Sequence, residues 1–338
     1  MYEENPVLCA RPIMESLLTS HSGTDIMDAL ETELTASQCH YIGHVVGQQS
    51  FVKLRTVDDA ISQCNRACDS ACIHGVVGEA FAEELGYDPL VDGNFDLKHL
   101  SAEDIYVIGE KLCTTSQTCH GVGHTLFQAY EEFEPALEVC RKIASGSLGQ
   151  YCANGLFMEY ADILSFKNMR SVADTKYPNI STLRKLCEQH SFDEMRACFR
   201  YYPRIVITTL EANGFSRVEA RTELRRMCEA FNEEKRVACM AGIGVYNSYA
   251  VLTNQSVAVR SCTQLTELRD IAACFLGQVW VATQDRRTTL VPYCGTLSTE
   301  ALRSSCYQGF FYFFFEAGGL MEDAVQLCNE DNVECLAG

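Results

Sequence analysis

Apolar positions along this chain recur with a helical period, and they do so in two alternating styles. Stretches such as VDDAISQC (ending at Cys64), PALEVC (Cys140), STLRKLC (Cys187), RTELRRMC (Cys228) and MEDAVQLC (Cys328) set apolar residues three or four apart among charges. That is the pattern of a half-buried helix. A second kind of stretch opens on a cysteine and is apolar nearly all round. Examples are CHYIGHVVG from Cys39, CIHGVVGEAF from Cys72, CHGVGHTLF from Cys119, CANGLFMEY from Cys152, CFRYYPRIV from Cys198, CMAGIGVYN from Cys239, CFLGQVWVA from Cys274 and CYQGFFYFF from Cys306. Such a helix is buried on every face. The run Phe310–Phe315 is the extreme case, and a central buried helix is the expectation for it.

The alternation predicts a repeating unit of polar helix, short loop and buried helix, recurring every 32 to 47 residues. Helix starts are written into the loops. Thr56 precedes Val57-Asp58-Asp59, Ser101-x-x-Asp104 and Ser216-x-x-Glu219 are box-like caps, and Pro135 suits a first helical turn. Small residues follow the opening cysteines (Gly43 and Gly47, then Gly75, Gly155, Gly242, Gly277 and Gly309), where a neighbouring helix needs close approach. The expected fold class is all-α: tandem disulfide-closed helical hairpin repeats forming an α-solenoid or an α/α ring.

Cysteine usage fixes the compartment. Nineteen cysteines occur, and from Cys140 onward they fall into couples: Cys140/Cys152, Cys187/Cys198, Cys228/Cys239, Cys262/Cys274, Cys294/Cys306 and Cys328/Cys335. No CxxC knuckle of the kind zinc domains use is present. Disulfides across helix-to-helix loops account for the spacing, and they imply an oxidising compartment: extracellular, periplasmic or the secretory lumen. In the first half Cys9–Cys39, Cys64–Cys72 and Cys113–Cys119 continue the scheme. Cys68 is left over, with Cys64 and Cys68 interchangeable. Asn179-Ile-Ser181 and Asn254-Gln-Ser256 are glycosylation sequons. The first residues show no basic-then-apolar leader pattern; if a signal peptide existed, it has been removed.

Net charge is −18 with a pI near 4.8. That sign opposes nucleic-acid partners. No run of 18 apolar residues occurs, so no membrane-spanning helix is expected. The partner is then a small molecule or a protein, and an oligomer is compatible with the pattern.

Five of eight histidines fall inside the buried phrases: His40, His44, His74, His120 and His124. His40/His44 and His120/His124 are i, i+4 pairs, each on one helix face. A shift of 80 residues superposes His40 on His120, His44 on His124, Cys39 on Cys119, Cys72 on Cys152, Gly75 on Gly155 and Glu79 on Glu159. It places His74 on Asn154. Residues 1–165 therefore read as a duplicated block with a metal site. Residues 166–338 keep the hairpins without the histidines, as structure or as a pocket wall to which Tyr201, Tyr202, Tyr246, Tyr249 and Trp280 contribute. His21, His99 and His190 lie outside the phrases and are read as surface or packing residues.

Three imidazoles from two helices hold copper or zinc. The ligand arrangement resembles paired-helix type 3 copper sites, in which each metal takes three histidines; Asn154 departs from that symmetry. Glu79 and Glu159, with Asn154, are weaker candidates that orient a ligand rather than bind. A cysteine-bearing zinc site at Cys39-His40 and Cys119-His120 requires thiols that the disulfide scheme denies. The expectation is a secreted metalloenzyme with a histidine-ligated transition metal, copper first and then zinc or iron. Copper or iron implies an oxidoreductase, zinc a hydrolase. The alternative is a non-enzymatic extracellular helical-repeat scaffold that binds a protein, with metal structural or absent.

Overall fold

A computed structural model describes residues 6–34, 36–86, 102–144, 146–165, 177–248, 250–251, 254–285, 290–316 and 325–328. Among them every regular element is a helix. The chain divides into two compact units, Met1–Tyr177 and Pro178–Gly338. The division falls after residues 166–176, which lie outside the described residues, whereas the sequence suggested 165/166.

The first unit contains α1 (Pro6–Leu17), α2 (Gly23–Glu33), α3 (Ala36–Leu54), α4 (Val57–Ser62), α5 (Ala67–Glu84), α6 (Ala102–Leu112), α7 (Ser116–Tyr130), α8 (Phe133–Ile143) and α9 (Ser147–Ser165). The second contains α10 (Ile180–Leu183), α11 (Phe192–Ala212), α12 (Arg217–Glu229), α13 (Glu233–Tyr246), α14 (Gln255–Thr263), α15 (Leu268–Asp285), α16 (Leu290–Gly295) and α17 (Glu300–Glu316). The cysteine-opening phrases form the inner helices. In the first unit α3, α5, α7 and α9 pack each on the next, and in the second α11, α13, α15 and α17 do the same. Shorter amphipathic helices flank them, α8 on α7 and α9, α12 on α11 and α13. This is the disulfide-closed helical repeat that the pattern predicted.

Local signals act as expected where they are described. The Thr56 side chain accepts from the Asp59 N–H at 3.3 Å. Ser216 and Glu219 form a reciprocal capping box. Pro135 is the third residue of α8, inside its first turn. Ser101 lies outside the described residues. Phe310 and Phe311 are buried; the remaining side chains of that run lie outside the description.

Close helix crossings set the register of the repeat. A Cβ at Gly47 would overlap the Cys72 carbonyl, and one at Gly75 the His44 carbonyl. The same reciprocal contact joins Gly123 to Cys152 and Gly155 to His120, and, in the second unit, Gly244 to Cys274 and Gly277 to Ala241. Each crossing thus puts a glycine, three residues after an inner cysteine, on a carbonyl of the preceding inner helix. The geometry corrects the 80-residue superposition. Along α5 and α9 the shift is indeed 80. Along α3 and α7, packing makes Gly47 equivalent to Gly123 and His44 to His120, a shift of 76. The two histidine pairs are therefore offset by one helical turn, and His40 lies a turn beyond anything in the second copy.

Disulfides join Cys64–Cys72, Cys113–Cys119, Cys140–Cys152, Cys187–Cys198, Cys228–Cys239, Cys262–Cys274 and Cys294–Cys306. The separations of 11 or 12 that recur among them close loops worth about 3 kcal/mol each in the chain-entropy picture. Cys328 is also disulfide-bonded; Cys335, its expected partner, lies outside the described residues. One pairing differs from expectation. Cys39 bonds Cys68, not Cys9, and Cys9 is an exposed free thiol on α1. The cause is local: Cys68, Asp69 and Ser70 take left-handed backbone angles (φ 55°, 57° and 59°) at the entry to α5. That turn brings Cys68 within 5.5 Å, Cα to Cα, of Cys39. Three such non-glycine residues cost about 1–2 kcal/mol each, and the bracketing disulfides at Cys64, Cys68 and Cys72 offset the cost.

Candidate metal centre

All five phrase histidines meet between the inner helices of the first unit. His40 and His44 come from α3, His74 from α5, and His120 and His124 from α7. His74 is central: its ring centroid lies 4.6 Å from His120, 5.0 Å from His124, 5.6 Å from His40 and 5.7 Å from His44. His124 is 5.5 Å from His44 and 6.1 Å from His40. His40, His74, His120 and His124 are buried and His44 is half-buried.

Two of these rings are held by fixed acceptors. His40 Nδ1 donates to the Cys68 carbonyl at 2.7 Å. His124 Nδ1 donates to Glu159 Oε2 at 2.8 Å. A carbonyl or carboxylate can only accept, so each ring carries its proton on Nδ1 and presents the Nε2 lone pair inward. Both Nε2 atoms are buried and make no hydrogen bond, and the same holds for His74 Nδ1 and Asn154 Oδ1. One nitrogen from each of His40, His74 and His124 lies within 4.8 Å of the others. A tetrahedral ion at ordinary metal–nitrogen distance needs them about 3.4 Å apart, a contraction within reach of side-chain torsions.

Electrostatics favour the neutral form of His40 and His74. Burial pushes the His74 imidazole well below the usual histidine range, and His120, His124, His40 and His44 push it further. Burial also lowers His40, against the opposing pull of the Asp162 and Asp69 carboxylates. Neutral imidazole is the metal-ligating form.

Helix α9 completes the cluster. Asp162, buried, has its Oδ2 3.9 Å from His40 Nε2. His124, Glu159 and Asp162 form a second convergent group within 4.8 Å. His120 Nε2 faces the Met158 thioether at 3.3 Å. Asp162 and Met158 escaped the sequence reading. An acid inside the apolar stretch LFMEYADIL, one turn beyond Glu159, was the available signal for Asp162.

The remaining candidates separate. Asn154 is buried on α9, but Glu79, the repeat equivalent of Glu159, faces Arg11 at 3.7 Å. His21 is exposed and bonds Ser20 at 2.9 Å, His190 is half-buried, and His99 lies outside the described residues. Cys39 and Cys119 are both in disulfides, so neither offers a thiolate. Among the described residues no helix is long and apolar enough to cross a membrane. Compared with protein-family profiles, with curated proteins and with solved structures, the chain matches none.

Proposed function

We propose that the first unit binds a transition-metal ion at His40, His74 and His124, and that the protein is a metalloenzyme secreted into an oxidising compartment. The observation that carries the reading is the convergence of three buried imidazoles, from three helices, each with one buried ring nitrogen that makes no hydrogen bond. A buried polar atom left unpaired is costly, and an ion at the centre removes the cost for all three at once. Two supporting contacts fit that role. The Cys68 carbonyl and the Glu159 carboxylate each hold a ligand ring from behind, which fixes its tautomer and raises its basicity.

Three protein ligands leave one position for a substrate or water. Imidazole donors suit copper first, then zinc or iron, and the Met158 thioether beside His120 adds a soft donor in keeping with copper. Copper or iron bound there supplies one-electron or dioxygen chemistry; zinc supplies an activated water. The disulfides support an oxidising compartment. A second reading, a closed structural or carrier site, draws on the Asp162 carboxylate as a fourth ligand, since it stands 3.9 Å from His40.

Azide addition to the copper-loaded protein, followed by visible absorption, separates the two. A new charge-transfer band shows an open position and supports the enzyme. An unchanged spectrum with copper bound shows a closed site and removes the catalytic reading.

A further inference from the structure

The second unit buries one charge that its packing leaves without an explanation. Arg200 on α11 is 8% exposed. Its guanidinium carbon stands 3.7 Å over the Trp280 ring on α15 and 5.5 Å from the Tyr201 ring. Its Nε is buried with no partner, and among the described residues no oxygen accepts from any of its N–H groups. A guanidinium does not shed its proton, so burial without a counter-charge is expensive. Arg236 in the same unit meets the rule, bonding Asp270 from Nε at 3.0 Å. Arg200 does not.

Its place in the repeat gives the group meaning. Arg200 lies two residues beyond Cys198, as His74 lies two beyond Cys72 and Asn154 two beyond Cys152. In α5 that locus, His74, is the centre of the histidine cluster. Arg196 and Arg204 stand one turn to either side on the same face of α11. Overall charge agrees. Residues 1–177 hold 26 Asp and Glu against 11 Lys and Arg, whereas residues 178–338 hold 19 against 16. The field that favours a cation in the first unit is nearly absent from the second.

We propose that the inner face of the second unit is an oxyanion site, in which Arg200 receives the carboxylate or phosphate group of a small ligand. Stacking on Trp280 occupies the face of the guanidinium and leaves its edge for a two-bond grip on two oxygens.

Trp280 is the chain's single tryptophan, so intrinsic emission reports the site directly. The full chain is titrated with sodium phosphate and with sodium acetate, with sodium chloride at matched ionic strength as reference. A saturable change in emission with phosphate or acetate, absent with chloride, is the expected result, and the tighter arm identifies the head group. Arg200→Gln abolishes the saturation. Arg200→Lys keeps the charge but not the fork and weakens binding by about tenfold or more; it decides the matter if the glutamine variant fails to fold. Emission indifferent to both oxyanions in the wild-type chain, or equal saturation in a folded Arg200 variant, overturns the proposal. Neither outcome bears on metal binding in the first unit.

Discussion

The two units share a scaffold and differ in what faces it. In both, inner cysteines open the buried helices, a glycine three residues on sits against a carbonyl of the helix before at α5, α9, α13 and α15, and disulfides close the loops. The first unit then aims His40, His74, His120, His124, Glu159 and Asp162 into the inner space, all buried. The second carries no such cluster among the described residues: Arg200 stacks on Trp280, and the buried Gln278 turns to the flanking helices, satisfied by Tyr293 at 2.5 Å and by the Ala258 carbonyl at 2.9 Å. Crossing geometry and chemistry are thus separable: the glycines and disulfides hold the helices, and the inward positions are free to diverge. The same lesson holds within the first unit. Glu159 holds His124 while its repeat equivalent Glu79 meets Arg11, so the same position pairs with a histidine in one copy and with an arginine in the other.

Breaking the metal centre gives the largest contrast. His124→Ala lowers metal affinity by more than the roughly 10–100-fold that a supporting residue costs, whereas Arg200→Gln leaves it unchanged; calorimetric titration of each variant with copper and zinc checks this. Next comes the support itself. Glu159→Gln weakens binding by about 10–100-fold, and Glu79→Gln does not, on the same titrations.

The crossings test the shared scaffold. Gly123→Ala and Gly244→Ala each destabilise by about 1–3 kcal/mol, the usual cost of overpacking, as read from denaturant unfolding. Only Gly123→Ala also weakens metal binding, because it parts α7, which carries His124, from α9, which carries Glu159. A Gly244→Ala variant as stable as wild type breaks the claim that both units rest on the same contact.

The smallest expected effect is on pH. The folded chain holds His40 and His74 below the ordinary histidine range, chiefly through burial, so the unfolded chain binds more protons as pH falls through about 6.5. The metal-free protein is fully stabilised above that pH and loses stability below it. Melting temperatures between pH 7.5 and 5.5 show the decline, and His74→Asn, which copies the Asn154 locus, flattens it.

Much of this was legible in the chain. The helical period, the cysteine couples and the five histidines all lie on the surface of the sequence because each is a local or a periodic signal. The cap at Ser216 and the loop disulfides from Cys140 to Cys306 follow from spacing alone. Three features did not. The Cys39–Cys68 bond depends on a left-handed turn at Cys68–Ser70 that no glycine announces. The one-turn offset between His40/His44 and His120/His124 depends on which glycine finds which carbonyl, and Gly43 and Gly47 offer two choices four residues apart. An acid in the apolar stretch LFMEYADIL marks Asp162 as buried, but that it meets His40 depends on α9 lying beside α3's histidine in space, which no local pattern states.

Metal content tests the central claim most directly. The full chain, purified without chelator and analysed for copper, zinc and iron, is expected to carry near-stoichiometric transition metal, lost in a His40→Ala/His74→Ala/His124→Ala variant that keeps its helical spectrum and disulfides. Wild-type protein that holds no such metal, and binds none tightly when titrated with copper, zinc or iron, contradicts the account.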